Sequence, residues 1–227
     1  SEWKTNKIIN MKTINLGKQN TVFNHFISQI RAINIQNDSM RFRRNMERIG
    51  EVFAYEISKE MEYENKDIIT PLGISTETLM TEKPVLATIL RAGLPLHQGL
   101  LNYFDDADSA FISAYRKHKK GGHFEIKIEY MSAPDLNGKT LILCDPMIAS
   151  GASMILAMEA ILAKGKPKHI HIVGVIASTE GIQYLKENAP IKNWTLWIGA
   201  EDSEMTSKSY IVPGLGDAGD LSYGAKL

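Results

Sequence analysis

The chain has 227 residues, of which 44% are hydrophobic and 23% are charged, and this composition excludes collagen-like, disordered and disulfide-stapled proteins. Lys plus Arg and Asp plus Glu number 26 each, so the formal net charge is zero, which disfavours non-specific binding to nucleic acid or anionic membranes. No apolar run is long enough to cross a membrane, no early segment resembles a secretory signal, and the single cysteine, Cys144, cannot form an internal disulfide. We therefore expect a cytoplasmic protein without a membrane segment.

The N-terminal part of the chain is expected to be helical, from about residue 20 to residue 65. Residues 1–10 precede Met11 without a recognisable pattern, and we set them aside as a native extension or a remnant of cloning. Asp38 and Ser39 are candidate helix caps. The residues after them place apolar side chains at three- and four-residue spacing, at Met46, Ile49, Phe53 and Ile57. This spacing predicts a long amphipathic helix over 38–65.

From residue 84 onward, short apolar runs alternate with segments of helical spacing. The runs predict strands over 85–90, 110–115, 140–144, 170–177 and 195–198. Their apolarity is continuous, which is typical of strands that are buried on both faces. Helices are predicted between them, over 154–163 and 180–187. The alternation predicts an α/β fold with a mainly parallel sheet flanked by helices, and we assign 11–227 to one domain with its core over 84–227.

One segment departs from this scheme. Apolar residues alternate there with charged ones, at Phe124, Ile126, Ile128 and Tyr130. A basic, glycine-containing run over 116–122 precedes them. We predict a half-exposed strand that forms an arm or flap, and we expect its apolar stripe to be an association surface, so that the protein is a homodimer or a larger homo-oligomer.

The most informative segment covers residues 141–153, LILCDPMIASGAS. An apolar strand ends at Asp145, Pro146 prevents its simple continuation, and small residues open the next helix. Small residues let backbone N–H groups approach an anion, and a helix start carries a partial positive charge. An ordinary strand-to-helix turn explains the small residues equally well. The acidic Asp145 favours a sugar phosphate, because a carboxylate beside an anion site needs sugar hydroxyls or a metal ion.

Two other segments have related features. Arg91, Ala92 and Gly93 follow the strand over 85–90, where an arginine can fork onto phosphate oxygens, although a surface arginine is the simpler interpretation. The tail over 210–223, YIVPGLGDAGDLSY, combines glycines, a proline and two aspartates. We predict a loop whose backbone suits the edge of a flat heterocycle, with a floppy C-terminus as the alternative. His169 and His171 alternate at a strand start and could bind a metal, but two packed or solvated histidines are the preferred interpretation.

Together these segments resemble the uracil phosphoribosyltransferase family. DPMIASGAS resembles its phosphoribosyl-pyrophosphate (PRPP) loop, ILRAG its pyrophosphate loop and YIVPGLGDAGD its uracil loop. SMRFRRNMERIGEVFAYE resembles its N-terminal helix, so the likeness extends from about residue 25 to the end. The resemblance implies a type I phosphoribosyltransferase-like fold with a β-arm and a C-terminal base-binding loop. It also implies the conversion of uracil and PRPP to UMP and pyrophosphate.

The resemblance carries specific roles onto this chain. PRPP-binding residues are implied at Arg91, Arg116, Asp145, Pro146, Met147, Ile148, Ala149, Ser150, Gly151, Ala152, Ser153 and Asp217. Uracil-binding residues are implied at Ile211, Gly216, Asp217 and Ala218. Asp217 and Arg116 are the implied catalytic residues. Mg²⁺ is the implied cofactor, carried with PRPP and without direct protein ligands.

The chain departs from the family pattern in three places. Ser150, Gly151 and Ala152 replace a Thr-Gly-Gly run, the basic segment 117–122 replaces an acidic one, and 221–224 differs from the usual aromatic-containing end. Two alternatives stay open: a phosphoribosyltransferase for another base, and an RNA-binding pyrimidine-operon regulator on the same fold. The regulator needs a basic face, which the zero net charge disfavours. Cys144 closes an apolar strand, and we interpret it as a buried structural residue rather than a nucleophile.

Overall fold

A computed structural model describes residues 11–118 and 124–226, and for 115–118 and 124–126 it describes the backbone alone. The helices in this part of the chain are α1 Phe23–Arg31, α2 Ser39–Ser58, α3 Leu94–Tyr103, α4 Ala152–Leu162, α5 Thr179–Asn188 and α6 Ala218–Tyr223. The strands are β1 Lys12–Asn15, β2 Tyr63–Thr70, β3 Gly73–Met80, β4 Val85–Leu90, β5 Asp108–His118, β6 Phe124–Ser132, β7 Thr140–Cys144, β8 Met147–Ile148, β9 His169–Ser178, β10 Trp194–Asp202, β11 Glu204–Met205 and β12 Ile211–Val212.

The central sheet has the order β1-β10-β9-β7-β4-β5-β6, with β8 beside β9. Its strands pair in parallel except for β5 and β6, which are antiparallel. Two further pairs, β2 with β3 and β11 with β12, lie outside this sheet. The predicted α/β architecture is confirmed, and the runs over 85–90 and 140–144 coincide with β4 and β7.

The sheet separates two layers of helices. Alternate strand residues such as Leu86 pack with α1, α2 and α3 on one face, where Phe23 and Phe53 meet edge to face at 5.6 Å between ring centres. Their neighbours, such as Val85, pack with α4 and α5 on the other face, around the fully buried Trp194. Burial on both faces explains why the central strands are continuously apolar.

The prediction of a helix over 38–65 is wrong for residues 59–65. Asp38 does cap α2, since its carboxylate accepts a hydrogen bond from Arg41 N at 3.1 Å. The helix ends at Ser58, however, and 63–80 form the hairpin of β2 and β3. Thr70 closes the turn by accepting a hydrogen bond from Gly73 N at 3.1 Å. The polar residues after Ser58 are compatible with a helix, and only the pairing of the two strands decides against it.

The predicted arm is strand β6, which forms the edge of the central sheet beside β5. Ile128 and Met131 are partly buried against the core. Among the described side chains of the predicted apolar stripe, Tyr130 is therefore the one that is largely exposed, at 58%. Most of the basic run, residues 119–122, lies outside the described residues.

Candidate functional site at the carboxyl edge of the sheet

Parallel strands bring their carboxyl ends to one edge of a sheet, where ligands bind in α/β proteins. Arg91 follows β4 and Asp145 follows β7, so the fold brings two of the predicted segments to this edge. A cavity of about 180 Å³ lies there. It is lined by Ala92, Asp145, Met147, Ile148, Ala149, Ser150, Gly151, Ser153, Met154, Ser209, Tyr210, Ile211, Gly216, Asp217, Ala218 and Gly219. One cavity thus joins the predicted phosphate loop to the predicted base loop.

The chain after Asp145 stays attached to the sheet. Pro146 ends β7, as predicted, but its carbonyl oxygen accepts hydrogen bonds from Val175 N at 3.0 Å and Ile176 N at 2.9 Å. The next two residues form β8, which pairs with β9, so the sheet resumes after the proline. Ile148 is buried in the core at 2% exposure. Pro146 and Ile148 therefore anchor the loop to the sheet.

The small residues that follow form the start of α4. Gly151 is the N-cap with φ +79° and has no side chain to cap the helix, while Ser150 Oγ accepts a long hydrogen bond from Ala152 N at 3.4 Å. Ser178 Oγ donates to the carbonyl oxygen of Ala149 at 2.5 Å and accepts from Gly181 N at 2.8 Å, which ties this loop to the start of α5. The other N–H groups of this first turn and the helix dipole form a candidate anion site.

Asp145 stands at the mouth of this anion site. One of its carboxylate oxygens accepts a hydrogen bond from Met147 N at 3.2 Å. Burial raises the pKa of Asp145 to about 7, and the Met147 hydrogen bond opposes this shift. The carboxylate also lines the cavity. Its position suits a contact with a hydroxyl group or a cation, because either would replace the lost solvation.

Arg91 bridges the end of β4 and the C-terminal helix. Its Nη2 donates to Asp220 Oδ1 at 3.0 Å and to Gly224 O at 3.2 Å. Its Nε is buried and has no hydrogen-bond partner among the described residues. The guanidinium group therefore keeps a buried donor for an anion. Arg91 is not among the described residues that line the cavity, but the adjacent Ala92 is.

The predicted loop over 210–223 is only partly a loop. It begins with β12, passes through a cis Val212–Pro213 peptide bond and ends in α6. Gly216 has φ +94°, which other residues rarely adopt, and a Cβ there would meet no atom within 4 Å. Asp217 caps α6, with Oδ1 accepting from Asp220 N at 2.9 Å. The short helix was missed because six residues leave almost no periodic pattern.

The structure gathers most of the predicted site residues around the cavity, with some exceptions. Pro146 and Ala152 are not among the described lining residues. Arg116 lies in β5, but its side chain is outside the described part of the chain. Sequence reasoning assigned no site role to five of the lining residues, although Tyr210 and Gly219 belong to the predicted loop over 210–223: Ala92, Met154, Ser209, Tyr210 and Gly219. Tyr210 begins the YIVPGLGDAGD motif, so the motif itself could have indicated it.

Two interpretations of single residues are confirmed. Cys144 is fully buried, and burial raises its pKa to about 12, so it is a structural thiol. His171 is buried and accepts a hydrogen bond from Trp197 Nε1 at 3.0 Å. His169 contacts Thr195 Oγ1 at 3.0 Å. Both histidines thus pack at the amino edge of the sheet, opposite the cavity.

A mainly parallel sheet with a helix start suited to an anion and a glycine-containing loop at its carboxyl edge is typical of a phosphoribosyltransferase. The family model described as uracil phosphoribosyltransferase matches residues 17–225. The chain belongs to this family.

Curated relatives and a solved structure resemble the chain over most of its length. The uracil phosphoribosyltransferase of Porphyromonas gingivalis is 54% identical over 217 residues, which are 96% of this chain and 100% of that protein. That of Thermococcus gammatolerans is 37% identical over 84% of each chain. The solved structure of the AQ2163 protein from Aquifex aeolicus is 28% identical with a TM-score of 0.82, covering 95% of this chain and 99% of that one.

Proposed function

We propose that the protein converts uracil and PRPP to UMP and pyrophosphate. The observation that carries this proposal is the single cavity that joins the start of α4 to the loop between β12 and α6. One wall offers an anion site with an acidic residue beside it, and the other offers backbone groups in a fixed turn. A sugar phosphate and a small planar base fit these two walls side by side.

The PRPP half of the cavity is assigned from its donors. The 5′-phosphate binds the N–H groups at the start of α4, from Ser150 to Ser153, and the ribose hydroxyls contact Asp145. The pyrophosphate lies toward Arg91, whose buried Nε has no described partner. Met147, Ile148 and Ala149 shape the loop, and Pro146 and Ala152 act through its backbone.

The uracil half is assigned from the loop after β12. Ile211 is buried and offers an apolar contact to the ring, while the backbone at Gly216 and Ala218 meets the polar edge of the base. Backbone groups held in one geometry discriminate between bases, because a mispaired base leaves buried donors and acceptors without partners.

The reaction is a displacement at C1 of the ribose. The bond from C1 to the pyrophosphate oxygen breaks as the bond from C1 to uracil N1 forms, and the N1 proton passes to solvent water. Asp217 lies between the two halves and stabilises the positive charge that develops on the ribose, while Arg116 balances the charge of the leaving pyrophosphate. Catalysis is positioning plus electrostatic stabilisation, without a covalent enzyme intermediate.

Mg²⁺ fits this site as an ion that is carried by the pyrophosphate. No cluster of three or more potential metal ligands occurs among residues 11–118 and 124–226. Asp145 and Asp217 line the cavity, and one or two carboxylates with substrate phosphates and water are the usual ligands of this ion. When bound, Mg²⁺ would neutralise the pyrophosphate as it leaves.

We also propose that the protein is at least a homodimer. The hairpin of β2 and β3 exposes Ile69 at 88%, Leu72 at 100% and Ile74 at 73%. Three neighbouring apolar side chains at the tip of a hairpin are a better candidate for a contact between copies than β6, where Ile128 is partly buried and Tyr130 is the exposed residue of the described stripe. The cytoplasmic location stays a prediction, which rests on the single cysteine. No helix in the described part of the chain is long and apolar enough to cross a membrane.

The proposed function is tested by incubating the protein with uracil and PRPP, with Mg²⁺ or with a chelator. We expect UMP and pyrophosphate to appear in equal amounts, and only when Mg²⁺ is present. Release of pyrophosphate without UMP, or no reaction at all, would contradict the proposal.

A further inference from the structure

Residues 213–217, between β12 and α6, form what we call the base loop. An ion pair whose residues do not line the cavity holds this loop in place. Arg31 is the last residue of α1 and Asp202 the last residue of β10, so they are 171 positions apart in sequence. Arg31 Nη1 lies 2.7 Å from Asp202 Oδ2, and Arg31 Nη2 lies 2.9 Å from Asp202 Oδ1. Asp202 is only 7% exposed, and the side chain of Arg31 is 23% exposed. The ion pair is therefore bidentate and largely buried.

Both partners of the ion pair also hydrogen bond to the backbone of Gly214. Arg31 Nη1 donates to Gly214 O at 3.0 Å, and Gly214 N donates to Asp202 Oδ2 at 2.9 Å. Gly214 has φ +53°, and a Cβ there would overlap the carbonyl oxygen of Ile211. The pair therefore holds both peptide units that flank Gly214, where the loop turns away from β12.

A third side chain holds the next residue of the loop. Gln36 Nε2 donates to Leu215 O at 3.0 Å and to Ile30 O at 2.8 Å. The loop is thus fastened to the end of α1 at two successive residues, immediately before Gly216. Neither Arg31 nor Asp202 is among the described residues that line the cavity, so a role of this pair in base binding would be indirect.

We propose that Arg31 and Asp202 are positioning residues, which set the geometry of the base loop and thereby its selectivity for the base. This inference rests on the proposed function. Base selectivity that depends on backbone groups requires those groups to stay in place. A segment with glycines at 214 and 216 has little stiffness of its own. The ion pair supplies that stiffness from two elements of the rigid core.

Asp202 stays ionised at neutral pH. Burial by itself would raise the pKa of Asp202, but hydrogen bonds from Arg31 and Gly214 N outweigh it and hold the pKa below its ordinary value. The carboxylate is therefore available to accept from Gly214 throughout the neutral range.

The test compares Asp202→Asn with a matched control, Glu82→Gln. Glu82 also belongs to a partly buried ion pair, 2.9 Å from Lys168 Nζ, and it accepts a hydrogen bond from Thr140 Oγ1 at 2.9 Å. It lies at the amino edge of the sheet, away from the cavity. For each variant we measure the melting temperature and the Kd for PRPP in the absence of uracil. We also measure the kcat, the KM for uracil and the turnover of cytosine.

We expect Asp202→Asn to raise the KM for uracil about tenfold or more, as loss of a charged hydrogen-bond partner would, and to increase the relative turnover of cytosine. The Kd for PRPP should change less than about threefold, because the start of α4 is untouched. Glu82→Gln should lower the melting temperature without changing the KM for uracil. If Asp202→Asn lowers only the melting temperature, the inference is wrong and the pair is merely structural.

A second variant covers the case in which Asp202→Asn does not fold. Arg31→Lys keeps the charge but cannot contact both carboxylate oxygens and Gly214 O together. It should therefore also raise the KM for uracil, and an unchanged KM and base selectivity would overturn the inference. Wild-type protein that does not turn over uracil would instead contradict the proposed function itself.

Discussion

Asp145 makes the proposed contact with the ribose, and its replacement tests that contact. Asp145→Asn keeps the size of the side chain and its acceptor for Met147 N, so we expect it to fold normally. Loss of a charged hydrogen bond to a substrate hydroxyl costs about 1.5 to 3 kcal/mol, and kcat/KM should fall roughly ten- to a hundredfold. Steady-state kinetics with PRPP as the varied substrate measure kcat/KM for the wild type and the variant. Circular dichroism checks that the variant is folded. Asp105→Asn, at an exposed position, is the control. Wild-type kcat/KM in Asp145→Asn would show that Asp145 only caps the loop.

The same residue predicts how stability depends on pH. Burial raises the pKa of Asp145 from 3.8 to about 7, so the folded protein without ligand retains a proton that the unfolded chain releases between these values. The stability contributed by this group is therefore fully present below pH 3.8 and is lost as the pH rises through about 7. The free energy of unfolding of the wild type, relative to that of Asp145→Asn, should fall over this range and then level off. Chemical denaturation at a series of pH values measures it, and a constant difference would contradict the assigned burial.

At the residue scale, the sequence predicts the site where its residues are consecutive. Asp145 and the small residues up to Ser153 are close together in the chain, so a candidate phosphate-binding loop can be recognised there from the sequence alone. Arg31 and Asp202 could not be found in this way, because no local pattern joins two residues on different elements. Their pairing depends on where α1 crosses the end of β10.

At the scale of elements, α5 supports the phosphate loop through Gly181. A Cβ at Gly181 would overlap the carbonyl oxygen of Ala149 and lie 2.8 Å from that of Ile148. We expect Gly181→Ala to displace this loop, to lower the free energy of unfolding by about 1–3 kcal/mol and to weaken PRPP binding. Denaturation and calorimetric titration with PRPP measure both effects. Gly73→Ala is the control, since a Cβ there meets nothing within 4 Å. Equal effects of the two substitutions would show that the contact with Ala149 is unimportant.

The central elements were predictable and the outer ones were not. Strands β4 and β7 are buried on both faces, so their apolar runs begin and end with them. The hairpin of β2 and β3 is mostly exposed, with Met80 at its end packed against the core, so it has almost no burial pattern from which strands could be recognised. The predicted helix therefore continues past Ser58 to residue 65, and the sequence predicts no element over 66–80.

At the scale of the whole molecule, the exposed hairpin tip predicts an association between copies. We expect light scattering at micromolar concentration to give a mass of at least twice 25.4 kDa. Leu72→Glu should shift this mass toward that of the monomer, because burial of a charge at a contact is unfavourable. Ile33→Glu is the control, since Ile33 is 78% exposed and lies away from the hairpin. A wild-type mass of 25.4 kDa, or an unchanged mass for Leu72→Glu, would contradict this assignment.

The central claim is that one cavity accepts PRPP and selects uracil as its partner, and a competition between bases tests it most directly. The protein is incubated with PRPP, Mg²⁺ and an equimolar mixture of uracil, cytosine, adenine, guanine and hypoxanthine, and the nucleotides formed are separated and quantified. We predict that UMP is the product and that the other nucleotides stay below it by a factor of roughly 10⁴, as expected for a base recognised by hydrogen bonds. A purine nucleotide or CMP in an amount comparable with UMP would contradict the account.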